Sequence, residues 1–421
     1  MTRILKRLLA LCACLALLAG AACAEDITVL CTGEEASLGY DCILPDGRLL
    51  LSGVRESPAD GTQKAWLVCM NPDRTVSWEY VETEVGECWY TRAALLKDGT
   101  IAMVWTRYHG DSGKVVAKFL TQDGKPTGKV TVMPDETLWP YEVSASYLLL
   151  ERQMYEEGKE EEPWFEMMVA DWDGNVLVPR QNESAADSGL YRMLEEEDGV
   201  VYYGMESMKP GRAKILKKDR PQGSVIWENA LYKTWPEIPE PEIIDLVKTE
   251  GGGYAALIGQ LPSAGENGEL TDDGYDYIVK LDADGTVRWI HRADPENGDH
   301  CCALAAVGGK LVTCAAPKVR WDPRMDQPLT VSWFDLDGNR LGNTELKLDP
   351  ADFPLVQEAL TSEDAAGKPA TPVVAWGGFV PMADGLRIEA TCFVLDTDDE
   401  NADGVLLLGG DTTVLARIPE I

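Results

Sequence analysis

Histidine is scarce in this sequence, with three residues in 421, and the familiar catalytic motifs are missing. His109, His291 and His300 do not lie beside a nucleophile in a recognisable turn. No G-x-S-x-G, G-x-x-x-x-G-K-S/T or H-E-x-x-H occurs, and no G-x-G-x-x-G follows a strand-like segment. The sequence therefore gives no support to a histidine-activated nucleophile, to nucleotide binding or to zinc-protease chemistry.

Basic residues are also few. The chain has 38 Lys and Arg against 71 Asp and Glu, a net charge of −33. Because such a charge repels the phosphates of nucleic acids and of anionic membranes, neither is an expected partner. The acidic residues are spread along the chain rather than held in one tail, which indicates a role in solubility.

Long apolar runs are missing after residue 24, and we therefore expect no transmembrane segment. Residues 1–24 are typical of a secretory signal peptide, with a short basic region, an apolar run over 8–18 and Ala22-Cys23-Ala24 as a cleavage site. This leader predicts a secreted, extracellular protein. A lipid anchor on Cys23 is an alternative, but Gly20 stands where a lipobox has leucine or a similar residue.

The CxxC motif is absent, and no Cys/His spacing suits structural zinc. An even number of cysteines follows the leader, which permits disulfides in an exported chain. Buried free thiols are an equal alternative, because a chain of this length can build a core without bridges. The cysteines after the leader are Cys31, Cys42, Cys69, Cys88, Cys301, Cys302, Cys314 and Cys392.

A local disulfide is predicted around the turn at Gly308-Gly309. With a two-residue loop there, Cys301 shares a face of the sheet with Cys314, whereas Cys302 faces away. We therefore predict a Cys301–Cys314 bridge. A β-bulge in the first strand would select Cys302 instead, and a vicinal Cys301–Cys302 bond is a competing arrangement.

Helical periodicity is nearly absent, and short β-branched or aromatic segments alternate with period two instead. Residues 277–289, YIVKLDADGTVRW, are typical: apolar residues alternate up to an Asp-Gly pair, and alternation then resumes and stops at a tryptophan. Asp-Gly supplies the positive φ that tight hairpin turns require. Trp78, Trp227 and Trp289 occupy the same place after a turn, where large side chains can fill the space between neighbouring sheets.

Two series of such turns recur with a period of about 56 residues. The first series comprises Asp46-Gly47, Asp98-Gly99, the region near Ser146, Asp198-Gly199, Gly251 to Gly253, Gly308-Gly309 and Asp384-Gly385. The second comprises Asp73-Arg74, Asp123-Gly124, Asp173-Gly174, Asp219-Arg220, Asp284-Gly285, Asp337-Gly338 and Gly410-Asp411. Seven units with two hairpin turns each predict an all-β fold, a seven-bladed β-propeller of four-stranded antiparallel blades, as one domain over residues 25–421.

The sequence allows two interpretations of how the ring of blades is closed. Residues 26–31, DITVLC, form an additional strand-like segment before the first unit. This segment joins the last blade and closes the ring if residues 412–420 are a third strand rather than a fourth. Otherwise the last blade is complete without it, with Gly410-Asp411 as its second turn.

The phrases LDADGTVRW and LPDGRLLLSG resemble the degenerate repeats of secreted bacterial β-propellers, including the quinoprotein-like (PQQ-like) group. The resemblance covers the chain after the leader and implies a fold and an extracellular habitat. Quinoprotein enzymes carry a vicinal cysteine pair beside their cofactor, and Cys301-Cys302 is such a pair. Those enzymes are usually longer and eight-bladed, however, and this sequence lacks a matching tryptophan-docking series and cofactor ligands, so that we expect no quinone.

In a propeller, one face carries the short first and second turns of each blade, and the opposite face carries the longer, variable loops. Functional residues concentrate on variable loops held by a rigid scaffold. Aromatic residues with polar neighbours fall on that face and suit a sugar ring or a peptide. The alternative is that they begin the inner strands and plug the channel. These candidates are Trp89, Tyr90, Trp139, Tyr141, Trp235 and Trp321.

A calcium site is a further candidate. Asp399, Asn401 and Asp403, followed by Gly404, match the first half of a calcium-binding loop. The twelfth position is Gly410, where that pattern requires a bidentate glutamate. An acidic hairpin loop without metal is the alternative.

These observations favour a secreted, non-enzymatic propeller that binds a glycan or protein ligand through its variable-loop face. The first alternative is a carbohydrate-active hydrolase or lyase that uses loop carboxylates, and the second is a scaffold subunit of a cell-surface complex. We expect a monomer that needs no cofactor, with calcium as the one candidate ion.

Overall fold

The structure, a computed structural model, is a ring of seven four-stranded antiparallel β-sheets, which confirms the predicted seven-bladed β-propeller. The structure describes residues 27–32, 36–110, 112–136, 138–156, 159–182, 192–205, 213–221, 223–235, 238, 241–260, 275–293, 300–316, 324–325, 327–362, 370–382, 385–396 and 406–418. In this part of the chain, no helix is both long enough and apolar enough to span a bilayer.

In blades 1 to 3 the strands follow one another from the inside of the ring to the outside. Blade 1 contains β2 (Ala36–Ile43), β3 (Leu49–Glu56), β4 (Gln63–Met70) and β5 (Val76–Val81). Blade 2 contains β6 (Glu87–Leu95), β7 (Ile101–His109), β8 (Ser112–Leu120) and β9 (Pro126–Glu136). Blade 3 contains β10 (Trp139–Val143), β11 (Tyr147–Glu156), β12 (Lys159–Asp171) and β13 (Val176–Asn182).

Blades 4 to 6 repeat this order. Blade 4 contains β14 (Arg192–Glu195), β15 (Val200–Met205), β16 (Ala213–Lys218) and β17 (Val225–Ala230). Blade 5 contains β18 (Pro241–Lys248), β19 (Tyr254–Gln260), β20 (Asp276–Leu281) and β21 (Val287–Arg292). Blade 6 contains β22 (His300–Val307), β23 (Lys310–Ala316), β24 (Leu329–Asp335) and β25 (Arg340–Leu346).

Blade 7 is assembled from both ends of the described chain. Its inner strands are β26 (Ala370–Met382), β27 (Gly385–Asp396) and β28 (Leu406–Arg417), and its outer strand is β1 (Ile27–Thr32). The expected turn at Gly410-Asp411 is wrong, because both residues lie inside β28. The alternative prediction, closure of the ring by the first strand, is confirmed.

Two short helices lie in crossovers between blades. Helix α1 (Leu231–Thr234) connects blade 4 to blade 5. A 3₁₀ turn (Pro350–Asp352) and helix α2 (Pro354–Leu360) connect blade 6 to blade 7. Val356 of α2 is fully buried in the apolar cluster between these two blades.

The blades are held together by apolar clusters between their faces. The cluster between blades 2 and 3 contains Val104 and Phe119 of one blade with Leu148 and Met168 of the other. Burial of each such side chain stabilises the fold by about 1.5–3 kcal/mol. The period-two pattern of the sequence puts these residues on the two faces of every sheet, since both faces contact a neighbour.

The turn in YIVKLDADGTVRW shows why Asp-Gly recurs. The Asp282 N–H donates to the Thr286 carbonyl at 2.9 Å, and the Gly285 N–H donates to the Asp282 carbonyl at 3.0 Å. Gly285 has φ +81°, which favours glycine. The Asp284 carboxylate accepts the Thr286 N–H at 3.0 Å and stabilises the turn.

The tryptophan that ends this type of segment packs on the turn of the next blade. Trp78, Trp227 and Trp289 lie on outer strands, as predicted. A Cβ on Gly285 would lie 2.4 Å from the Trp227 ring, and a Cβ on Gly124 would lie 2.5 Å from the Trp78 ring. The indole N–H groups donate to three carbonyls of the following blade: Trp78 to Gln122 at 2.9 Å, Trp227 to Ala283 at 3.1 Å and Trp289 to Leu336 at 3.0 Å.

Candidate functional site

Two predicted ligand-binding residues come together at the start of the inner strands of blades 2 and 3. The rings of Tyr90 and Trp139 stack with their centroids 5.5 Å apart and their planes 25° from parallel. Tyr90 is 51% exposed, and its backbone has φ +56°, a conformation that is uncommon for a bulky residue. Backbone strain of this kind is often found at functional sites.

The stacked pair and one further aromatic residue on each of the same two strands form a group that we call the aromatic platform (Trp89, Tyr90, Trp139, Tyr141). Trp89 is 40% exposed and Tyr141 is 38% exposed. The Trp139 indole N–H donates to Glu151 Oε2 at 3.2 Å, which fixes the ring at the edge of the platform. The exposed ring of Tyr90, stacked on the half-buried ring of Trp139, provides an apolar face for a ligand.

The other predicted residues lie elsewhere. Trp235 is half-buried in the crossover from blade 4 to blade 5, after α1. Trp321 lies outside the described residues, as do the calcium candidates Asp399, Asn401 and Asp403 and the predicted leader. Within the described ranges no three His, Cys, Asp or Glu side chains converge to hold a metal ion.

Several ionisable side chains lie on the innermost strands of the blades, or on the second strand in the case of blade 7, and sequence reasoning missed them. We call them the channel cluster (Asp41, Arg92, Glu142, Arg192, Asp245, Glu389). Four carboxylates of this cluster each accept a backbone N–H of the following blade at 3.1 Å. The pairs are Asp41 with Ala93, Glu142 with Met193, Asp245 with Leu304, and Glu389 with Tyr40.

β-Bulges in the inner strands help to place these side chains. In β2 the pairing with β3 skips Asp41, and in β10 the pairing with β11 skips Tyr141. A bulge leaves one residue out of the ladder and turns side chains away from strict alternation. The same strand can therefore pack apolar residues between blades and present polar residues to the channel.

Arg192 links two of the carboxylates. Its Nη2 lies 3.4 Å from Asp245 Oδ1, and its Nε lies 3.9 Å from Glu142 Oε1. Burial raises the pKa of Glu142 to about 7, although Arg192 and the Met193 N–H act in the opposite direction. Burial also raises the pKa of Asp41 to about 7. Carboxyl groups with such pKa values can exchange protons near neutral pH.

Tyr141 links the aromatic platform to the channel cluster electrostatically. Burial of the hydroxyl raises the pKa of Tyr141, and the carboxylates of Glu151 and Glu142 raise it further, while Arg192 and Arg92 lower it. Tyr141 therefore lies within electrostatic range of both groups. Arg92 is exposed two residues after Tyr90 and brings a positive charge to the edge of the platform.

The cysteine prediction at blade 6 needs a correction. The pairing of β22 with β23 skips Cys302, since Cys301 pairs with Ala315 and Ala303 pairs with Cys314. This bulge brings Cys302 Sγ to 3.2 Å from Cys314 Sγ. Cys302 and not Cys301 is therefore the neighbour of Cys314, and none of these three cysteines is in a disulfide in the structure.

The buried carboxyl groups predict a pH-dependent stability. Their folded-state pKa values of about 7 exceed the value near 4 of an unfolded chain, so the folded state binds protons more tightly. This contribution is complete below about pH 4 and is lost as the pH rises through 7. We expect the melting temperature to fall by a few degrees from pH 5 to pH 8.

Glu142→Gln should reduce that fall, because the amide keeps an acceptor for the Met193 N–H but carries no charge. Asp123→Asn, at an exposed turn, is the control and should keep the wild-type pH dependence. The measurement is a set of thermal melts across this pH range. A Glu142→Gln profile parallel to that of the control would contradict a role for this carboxyl group.

The sequence matches no family model and no curated protein. Its fold is similar to several solved propellers. Prolyl oligopeptidase B from Galerina marginata is 11% identical with a TM-score of 0.43, over 85% of this chain and 46% of the other. The β-propeller domain of the trilobed protease from Pyrococcus furiosus is 9% identical with a TM-score of 0.45, over 90% and 97%.

Acylaminoacyl peptidase from Pyrococcus horikoshii is 12% identical with a TM-score of 0.46, over 89% of this chain and 52% of the other. The present chain thus spans about half the length of that peptidase and of the Galerina enzyme. At these identities the similarity concerns the propeller fold alone and carries no information on activity or ligand.

Proposed function

We propose that this protein is a secreted, non-enzymatic binding protein that takes a glycan on its aromatic platform. The observation that carries the proposal is the stacked pair of Tyr90 and Trp139, in which Tyr90 is exposed and has a strained backbone conformation. Sugar rings present apolar C–H faces that pack on aromatic rings and hydroxyl groups that need polar partners. Arg92, which is exposed, and Glu142, which is partly exposed, provide such partners near the same surface.

The remaining parts of the proposal rest on the sequence. Export follows from the leader at residues 1–24, and the acidic charge disfavours nucleic acids as ligands. The likeness to secreted bacterial propellers of the quinoprotein-like group supports the same habitat. A calcium ion at Asp399, Asn401 and Asp403, and a monomeric state, complete the proposal.

A matched pair of tryptophans gives a test of the platform. Trp139→Ala and Tyr90→Ala should each weaken binding to a glycan array by about 10-fold or more, because each removes one ring of the stack. Trp66→Ala is the control. Its indole N–H also donates to a glutamate, Glu79 Oε2, at 3.2 Å, but it lies on β4 away from the platform.

The result expected for Trp66→Ala is wild-type binding with a similar loss of stability. Equal weakening by all three variants would show that folding, and not the platform, controls the signal. Absence of any glycan signal, together with a protein ligand whose capture requires Tyr90, would replace the glycan by a protein segment on the same surface.

A hydrolase or lyase is the second candidate, and the channel cluster favours it. Glu142 has a pKa of about 7, in the range of a general acid, and it shares Arg192 with the second carboxylate, Asp245. The same array separates the two functions. If the wild type shortens the bound glycan and Glu142→Gln does not, the protein is an enzyme. If the glycan stays intact, the protein is a binding protein.

A further inference from the structure

The bulge in the inner strand of blade 6 brings two thiols into contact. Cys302 is the residue that β22 leaves unpaired, and its side chain is exposed. Cys314 lies on the adjacent strand β23 and is fully buried. The two sulfur atoms are 3.2 Å apart, and Cys302 Sγ lies 3.6 Å from the Cys314 carbonyl oxygen.

Cys301 is directed to the opposite face of the blade. Its side chain packs in the cluster with Leu257 and Ile278 of blade 5. Cys314 packs instead in the cluster with Ile388 of blade 7. Because blade 6 lies between these two clusters, Cys301 cannot reach Cys314 without rebuilding the strand. Adjacent strands otherwise provide the short separation that a disulfide needs.

We propose that Cys302 and Cys314 are a redox-active thiol pair that reacts with disulfide-bearing oxidants. In the first step the Cys302 thiol loses its proton, and its sulfur attacks the oxidant R–S–S–R. A mixed disulfide Cys302–S–S–R forms, and one thiolate RS⁻ leaves and takes up the proton. In the second step Cys314 loses its proton and attacks the Cys302 sulfur, which forms the Cys302–Cys314 disulfide and releases a second RSH.

The two electrons lost by the protein thiols are gained by the oxidant, which ends as two RSH. The division of roles follows from exposure. Cys302 is accessible to an oxidant, whereas Cys314 is not. Burial and the neighbouring Cys302 thiol raise the pKa of Cys314, which disfavours its thiolate as the first nucleophile.

This site goes beyond the proposed glycan binding and involves none of the platform residues. Formation of the bond joins the inner strand of blade 6 to its neighbour and fixes the bulge in the channel wall. A disulfide restricts the unfolded chain, so the oxidised protein should melt a few degrees higher than the reduced protein.

Peptide mapping tests the proposal directly. Full-length protein is treated with oxidised glutathione, alkylated and cleaved with trypsin, which separates Cys302 from Cys314 after Lys310. The wild type should yield the two peptides joined by a disulfide. Cys301→Ala should yield the same link, and Cys302→Ala should abolish it. Cys314→Ala should accumulate a glutathione adduct at Cys302, since the second thiol is missing.

Each of these variants loses only a thiol group, and Cys302→Ala lies at an exposed position, so that we expect all of them to fold. Thermal melts of the same samples check the folding. A link that survives in Cys302→Ala, or a vicinal Cys301–Cys302 bond, would overturn the assignment. Unlinked thiols in the wild type, with no adduct at Cys302 in Cys314→Ala, would show that the pair does not react.

Discussion

Removal of residues 27–32 should cost this protein much of its stability. The strand β1 pairs with β28 from Ile27 opposite Ala416 to Thr32 opposite Thr412 and forms the outer strand of blade 7. Loss of about five backbone hydrogen bonds and of the buried Cys31 side chain should lower the free energy of unfolding by about 5 kcal/mol. The deletion also exposes the edge of β28, which favours aggregation.

Thermal melts and size-exclusion chromatography measure both effects. Val29→Ala is the control, because this side chain is 53% exposed and the backbone pairing remains. It should melt within about a degree of the wild type. If the deletion variant melted like Val29→Ala and stayed monodisperse, blade 7 would be stable with three strands and the ring would not depend on this closure.

Substitution of Gly285 should have the second largest effect. In Gly285→Ala the new Cβ meets the Trp227 ring, at 2.4 Å, so the ring must leave its site and the indole N–H loses the Ala283 carbonyl. We expect a loss of about 3–4 kcal/mol from the clash, the hydrogen bond and the positive φ together. Unfolding in a chemical denaturant measures this loss in the free energy of unfolding.

Gly251→Ala provides the control, since Gly251 has φ +83° and a Cβ added there would meet no atom within 4 Å. Only the backbone strain of about 1 kcal/mol applies at that position. In a Trp227→Ala background, Gly285→Ala should also cost only about 1 kcal/mol, because the ring is gone. Additive losses in that double variant would mean that the tryptophan and the turn do not interact.

Much of the fold was predictable because it depends on local chemistry. A turn such as Asp284-Gly285 needs a residue that tolerates positive φ, and glycine provides that signal in the sequence. The alternating strands beside it follow from burial on both faces. The partner of Trp227 was not predictable in the same way, since Ala283 lies 56 residues further along the chain.

The candidate site was predicted only in part. Tyr90 and Trp139 were visible as aromatic residues at the start of inner strands, but their stacking depends on how two blades meet. Asp41 and Glu142 were harder to recognise as site residues. The only sequence signal for them is a charged residue in an otherwise apolar strand, shortly before the first turn of a blade. Abundant acidic residues elsewhere masked it.

The β-bulges were the main source of error. They have no strong sequence signal when glycine is absent, and one extra residue reverses the face on which every later side chain lies. That reversal is why Cys302 rather than Cys301 meets Cys314.

The closure of blade 7 also sets an order of events in time. Six blades form from strands that are neighbours in the chain, whereas the seventh requires distant segments to meet, as in the pairing of Ile27 with Ala416. Contacts of such long range form slowly, because the loss of chain entropy precedes the gain from pairing. Synthesis produces β1 before every other described strand, yet its partner β28 emerges last. The strand β1 therefore stays unpaired until the other blades have been translated. During that interval its exposed backbone groups can pair with a strand other than β28.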